Sequence, residues 1–272
     1  MRPHETIIQK IYEKTKSMEP KKLAIIQVGD NKSSNLYISI KKKRLAEVGF
    51  FHEHIRFPEE ISYEQFVDQI KLTANDDSID AMIVQLPIPK HLLPALEEIP
   101  AYKDADGLTL RNQGLLFRAA PKDSYIAPAT ALGCIAFLEA HSVRLEGSQV
   151  AIFGKSMLVG KPIACLLQER GATVVVLSRK DQKQKSLSSK CDILIAAMGA
   201  PHYVTPDYVK ENAFVVDIGV TKVEENVLGD VHSDVREKAR FVSSTKGDIG
   251  PLTVAFLISN IMECSRLRNE RL

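Results

Sequence analysis

Hydrophobic positions along the chain alternate between two periods. Short, nearly continuous apolar runs read as buried strands, and longer stretches with apolar residues every three or four positions read as helices. Residues 23–28 (LAIIQV) form the first such strand, ending at Gly29-Asp30. After the polar turn Asn31-Lys32-Ser33-Ser34, the pattern predicts a helix over 35–48, with Ser34 or Asn35 as N-cap and Gly49 as the stop. Residues 50–57 predict a second strand, 63–74 a second helix, and 79–86 (IDAMIVQL) a third strand closed by Pro87 and Pro89. That β-α-β-α-β order requires parallel strands joined by helical crossovers. Residues 90–128 are rich in loop formers, and 132–140 predict a linking helix. A second α/β series starts at Ser148, with strands over 149–153, 173–177, 193–197, 214–218 and 240–243, before a final amphipathic helix over 253–266. The fold class is therefore α/β in two units, with ligands expected in a cleft between them.

Length supports the same division, since 272 residues suit about two domains. Lys+Arg number 36 against 34 Asp+Glu, a net charge of +2, so there is no electrostatic case for a nucleic-acid binder. No apolar run approaches the ~18–20 residues of a membrane helix. The start, Met1-Arg2-Pro3-His4-Glu5, lacks the apolar stretch of a signal peptide, so a soluble, cytoplasmic protein is expected. Cys134, Cys165, Cys191 and Cys264 form no C-x-x-C pair and no cysteine–histidine cluster with zinc spacing. They read as reduced, mostly buried thiols, and no metal is expected.

Two segments carry candidate chemistry. Strand 149–153 runs into Gly154-Lys155-Ser156-Met157-Leu158-Val159-Gly160-Lys161-Pro162. A strand, a glycine turn and a helix form the setting in which backbone N–H groups hold a pyrophosphate. The spacing is neither G-x-G-x-x-G nor a P-loop, and a tight turn without ligand would carry the same glycines. The next strand ends in Ser178-Arg179-Lys180, where an NAD site commonly places Asp or Glu. A hydroxyl and two cations suit a 2′-phosphate, with Lys155 adding charge, so NADP is the expected cofactor; a solvated basic loop is the alternative. In the first unit, Tyr37 and Lys41 lie four apart on one helix face. Gln85 ends a strong strand at the usual ligand edge of a parallel sheet, and Asp106-Gly107 lies in the long loop. None of the seven histidines falls in such a motif, and His52 and His54, alternating on a strand, read as structural.

Taken in order, seven segments resemble one family: Ser34-Asn35-Leu36-Tyr37-Ile38-Ser39-Ile40-Lys41, Val84-Gln85-Leu86-Pro87-Ile88-Pro89, Lys103-Asp104-Ala105-Asp106-Gly107, the 154–162 turn, Val216-Asp217-Ile218-Gly219, Gly229-Asp230-Val231 and Gly250-Pro251-Leu252-Thr253. The chain is similar to the bifunctional methylenetetrahydrofolate dehydrogenase/methenyltetrahydrofolate cyclohydrolases. The resemblance implies a folate-binding catalytic domain over 1–130, completed by 252–272 as a helix returning to that lobe. It also implies a Rossmann-like NADP-binding domain over 131–251 and a homodimer formed through that domain. It implies hydride transfer from the methylene bridge to nicotinamide, then water attack on the methenyl cation to give formyltetrahydrofolate. By position, Lys41 would activate water and manage protons, as a lysine does when its neutral amine is accessible. Gln85 would orient Lys41, Tyr37 would lie against the folate rings, and Asp106 would accept from the pterin's N–H edge. Asp248, Gly250 and Pro251 would border substrate. Gly154, Lys155, Ser156, Gly160, Ser178, Arg179, Gly199 and Val220 would border NADP.

Two departures stand out. The family's Pro-Cys-Thr-Pro is Pro128-Ala129-Thr130-Ala131 here, and its Pro-Val-Pro-Gly-Gly-Val-Gly-Pro loop is Ser244-Thr245-Lys246-Gly247-Asp248-Ile249-Gly250-Pro251. The segment before Leu23 also lacks the family's usual opening. Asp248 would stabilise a cation, clash with substrate or point into solvent. A divergent paralogue keeping only the cyclohydrolase, or a non-catalytic folate- or nucleotide-binding protein, are the alternatives these changes raise.

Overall fold

The computed structural model describes residues 2–223, 226–245 and 247–270. It divides into two compact units, one of residues 9–129 with 254–272, the other of 1–8 with 130–253.

The division falls within α1 (Glu5–Thr15), a helix the sequence pattern did not predict. In the first unit, β1 (Lys22–Val28) is central to a parallel sheet ordered β2-β1-β3, with β2 at Phe51–Phe57 and β3 at Ala81–Val84. A central strand covered on both faces needs a continuous apolar run, which explains LAIIQV. The crossovers are α2 (Lys32–Glu47) and α3 (Tyr63–Asn75). α2 starts earlier than predicted because Asn31, not Ser34 or Asn35, is the cap; its side-chain oxygen accepts from Ser33 N and Ser34 N at 3.0 and 3.1 Å. α3 carries a capping box between Ser62 and Gln65.

Residues 90–128 hold more structure than expected. A 3₁₀ helix spans Lys90–Glu98, and α4 spans Leu110–Phe117 behind an N-cap at Thr109. α4 escaped the periodicity because Leu110 and Phe117 are 70% and 79% exposed, so its apolar residues do not mark a core face. Residues Leu257, Ile258 and Ile261, toward the chain's end, share one buried core with Leu23, Ile25, Leu45 and Ile83.

The second unit opens with α5 (Ala129–Ala140) and is built on a five-stranded parallel sheet ordered β10-β7-β6-β4-β5. Its elements are β4 (Gln149–Phe153), α6 (Gly160–Gln168), β5 (Thr173–Leu177), α7 (Gln184–Ser188), β6 (Ile193–Ala196) and β7 (Phe214–Asp217). A short antiparallel pair follows, β8 (Thr221–Val223) with β9 (Asn226–Leu228), then β10 (Phe241–Val242). α8 (Ile249–Asn269) starts four residues before the predicted helix. Residues 2–8 group with the second unit, where Arg2 Nη1 donates to Asp248 Oδ1 at 2.7 Å and buried His4 packs on Phe137 and His141.

Of the cysteines, Cys134, Cys191 and Cys264 are buried and Cys165 is partly so; burial pushes the Cys134 thiol up to about 12. These are packing residues at neutral pH.

Candidate active site

The first unit gathers Tyr37, Lys41, Gln85 and Asp106. Lys41 is only 9% exposed, and its Nζ donates to Gln85 Oε1 at 3.0 Å. Gln85 follows β3 directly; its backbone N–H bonds Ile26 O at 2.8 Å and its side-chain Nε2 donates to Leu86 O at 3.0 Å. With the amide nitrogen committed to that carbonyl, the amide oxygen faces the ammonium. The Leu86–Pro87 peptide is cis. Tyr37, one turn before Lys41 on α2, stays 36% exposed. Burial pushes the Asp106 carboxyl above its ordinary value, the Lys41 charge pulls it back, and Asp104 raises it. The Lys41 charge thus acts on the Asp106 carboxyl, while the Lys41 ammonium itself is tied to Gln85.

The Lys103-Asp104-Ala105-Asp106-Gly107 segment is held by its own residues. Lys103, 2% exposed, donates to Ala74 O and Asp76 O, both at 2.8 Å, closing the C-terminus of α3. Asp104 accepts from Leu108 N (3.0 Å), Thr109 N (2.8 Å) and Asn112 Nδ2 (3.0 Å) where α4 begins. Gly107 has φ +63°, and a Cβ there would stand 2.6 Å from Ile126 O. Asn260 donates its amide to Ala105 O (2.8 Å) and Ala127 O (2.9 Å), fixing the backbone beside Asp106. Lys103 and Asp104 were motif residues without an expected role, and Asn260 was not singled out. Two charges flanking a loop were a signal for the first two; nothing marked Asn260. His54 bridges Lys42 Nζ (2.8 Å) and Gln27 Oε1 (2.9 Å), a structural role as expected.

In the second unit, the turn after β4 brings backbone against backbone. A Cβ on Gly154 would collide with Ala197 O, and one on Gly160 with Gly154 O. Ser156 Oγ accepts from Val159 N (3.2 Å) and Gly160 N (3.4 Å) at the start of α6. Such a cradle, which any side chain would fill, fits a pyrophosphate, so the residues present suit a dinucleotide. Gly199 has φ +61°. Ser178 and Lys155 converge on Asp181, and Arg179 lies 5.9 Å from the Tyr203 ring centre. Asp181 was missed because only the cations of this strand end were weighed. Val220 follows the β7 loop, between Gly219 and β8.

Asp217 and Asp230 lace these loops together. Asp230, fully buried, accepts from Met198 N (2.6 Å), Gly199 N (3.1 Å) and Ala200 N (2.5 Å). Asp217 accepts from Asp230 N (3.0 Å) and Val231 N (3.2 Å). Gly219 and Gly229 press on these carboxylates so closely that a Cβ at either would collide with one. Burial, opposed by the backbone donors, pushes Asp217 up to about 6. The folded protein thus holds a proton that the unfolded chain releases near pH ~4, so this group's contribution falls as pH rises from ~4 to 6. Relative to Asp217→Asn, the protein is expected to lose about 2–3 kcal/mol between pH ~4 and ~7. Urea midpoints of both proteins at the two pH values check this; parallel profiles would remove Asp217 as the cause.

Asp248 does not point into solvent. It is 5% exposed, its Oδ2 accepts from Ser244 N at 2.7 Å, and its Oδ1 takes Arg2, with His4 Nε2 at 3.5 Å. Burial lowers the His4 pKa, and Asp248 opposes that. Gly250 and Pro251 lie in the first turn of α8. Thr130, retained where neighbouring family residues change, faces Thr253 with hydroxyl oxygens 3.5 Å apart.

Two family models match this chain. The tetrahydrofolate dehydrogenase/cyclohydrolase catalytic domain matches residues 2–106, and the NAD(P)-binding domain of the same name matches 128–269. The bifunctional protein FolD of Thermus thermophilus is 36% identical, with 90% of this chain and 87% of the relative covered. That of Lactobacillus helveticus is 35% identical, covering 97% and 95%. Among solved structures, the bifunctional methylenetetrahydrofolate dehydrogenase/cyclohydrolase FolD of Campylobacter jejuni superposes with a TM-score of 0.88 at 32% identity, covering 97% of this chain and 96% of that one. The Trypanosoma brucei methylenetetrahydrofolate dehydrogenase-cyclohydrolase, complexed with NADP cofactor and inhibitor, gives 0.90 at 28% identity, covering 99% and 96%.

Proposed function

The chain belongs to the tetrahydrofolate dehydrogenase/cyclohydrolase family, and we propose that Lys41, Gln85, Tyr37 and Asp106 are the groups with which it carries out the two linked folate reactions. It oxidises methylenetetrahydrofolate to the methenyl form and hydrolyses that to formyltetrahydrofolate. NADP, when bound, supplies the hydride acceptor for the first step. The observation that carries the reading is the part-buried Lys41–Gln85 hydrogen bond at 3.0 Å, with the Lys41 charge acting on the Asp106 carboxyl.

In the second step a water oxygen bonds the methenyl carbon. Lys41 passes one water proton to the departing nitrogen as one ring C–N bond breaks, and the second leaves to solvent as the oxygen becomes the formyl carbonyl. Gln85 holds Nζ in place for that transfer through their 3.0 Å hydrogen bond. Asp106 accepts from the pterin's amino and ring N–H groups, and Tyr37 lies against the rings. Gly154, Lys155, Ser156, Gly160, Ser178, Arg179, Gly199 and Val220 hold the nucleotide. A homodimer through the nucleotide unit is part of this reading. It is supported by β5, an edge strand whose Val174, Val175 and Val176 are only partly buried.

Asp106→Ala is expected to weaken folate binding by about 1–3 kcal/mol, the value of a charge-assisted partner. Equilibrium titration with a stable folate analogue checks it; unchanged affinity would take Asp106 out of substrate recognition.

A further inference from the structure

The basic end of β5 is already engaged. Ser178 N–H (2.5 Å), Ser178 Oγ–H (2.9 Å) and Lys155 Nζ (3.2 Å) all donate to one atom, Asp181 Oδ2. A backbone amide, a hydroxyl and an ammonium converging on one anionic oxygen are the donors a phosphoryl oxygen would take. They hold the Asp181 carboxyl below its usual range, so it is ionised at neutral pH. The donors are fixed in turn. Gln184 Nε2 donates to Ser178 O at 2.6 Å, and Tyr203 Oη donates to Gln184 Oε1 at 2.7 Å. Asp181 itself is 37% exposed.

We propose that Asp181 is a specificity-determining residue for the nucleotide: its carboxylate fills the anion cradle that a 2′-phosphate needs, so NADP must displace it and NAD need not. The proposal rests on the reading of residues 154–160 and 178–181 as the nucleotide site. A 2′-phosphate brings a second negative group toward one ammonium and one amide, and the carboxylate repels it unless it swings away. A ribose bearing a free 2′-hydroxyl meets an acceptor there instead. Asp181 therefore narrows the advantage that Ser178, Arg179 and Lys155 give to NADP.

The test is fluorescence titration of the full-length protein with NADPH and NADH, comparing wild type with Asp181→Asn and Asp181→Ser. Asparagine keeps an acceptor oxygen for the Ser178 donors and removes only the charge. The expected result is NADPH affinity rising on the order of tenfold in both variants, with NADH affinity level or lower. An unchanged NADPH-to-NADH ratio, or equal weakening of both, would overturn the proposal and make Asp181 a loop brace. Binding of neither nucleotide by any of the three proteins would overturn the nucleotide reading, and this proposal with it.

Discussion

Lys41→Met is expected to lower cyclohydrolase turnover by about 10³-fold or more, within the range proton-transfer groups contribute. Methionine matches the lysine stem in length and suits a position 9% exposed, so the fold should survive. It cannot carry a proton, and it leaves Gln85 Oε1 without its donor. The loss should fall on turnover rather than on affinity, because Asp106, held by its own loop and by Asn260 behind it, still presents a carboxylate to the pterin. Decay of methenyltetrahydrofolate absorbance measures the step, with thermal unfolding as the control for folding. Near-normal hydrolysis in a folded variant would remove Lys41 from its role.

Gly160→Ala is expected to separate the two activities. The new Cβ would collide with Gly154 O and stand 2.7 Å from Gly154 C. Gly154 cannot retreat, because its own Cβ direction is closed by Ala197 O. The turn must open by a fraction of an ångström or more, which displaces the amides at the start of α6. Misplacement of that order costs about 10²-fold in a positioned reaction. NADP-dependent oxidation should fall by about that factor, while hydrolysis of added methenyltetrahydrofolate, which uses Lys41, Gln85 and Asp106, stays within a few-fold. Nicotinamide reduction and methenyl hydrolysis, assayed on one preparation, check both halves. Equal loss of the two would mean that the change acts through global stability.

Most of the strand–helix frame was legible because buried parallel strands must be nearly all apolar. LAIIQV and the 149–153, 173–177 and 214–217 runs leave little choice. Of what escaped the pattern, α1 did carry an apolar face, with Ile11 and Tyr12 packed against the first unit's core. α4 turns Leu110 and Phe117 outward, and α1 takes its place partly through Arg2 and His4, whose partner Asp248 lies 246 residues from Arg2. Helix spacing put Tyr37 and Lys41 on one face and a strand end put Gln85 at the sheet edge, while Asp106 and the roles of all four came from the family resemblance. The groups that hold them were not legible, since Asn260 reaches across 155 residues to Ala105 O. Asp217 and Asp230 stood out as motif residues, yet their tie through buried backbone amides needed coordinates. At Asp181 a carboxylate three residues past Ser178 was the available signal, and counting cations concealed it.

The central claim is that this chain, despite its altered 128–131 and 244–251 segments, performs both steps. The most direct test gives the purified protein methylenetetrahydrofolate with NADP and follows nicotinamide reduction together with formyltetrahydrofolate formation. The account predicts robust reduction with formyl product appearing behind it. No reduction by demonstrably folded protein, with methenyl hydrolysis intact or absent, would contradict it, and Asp248 and its Arg2 partner would be the first residues to change.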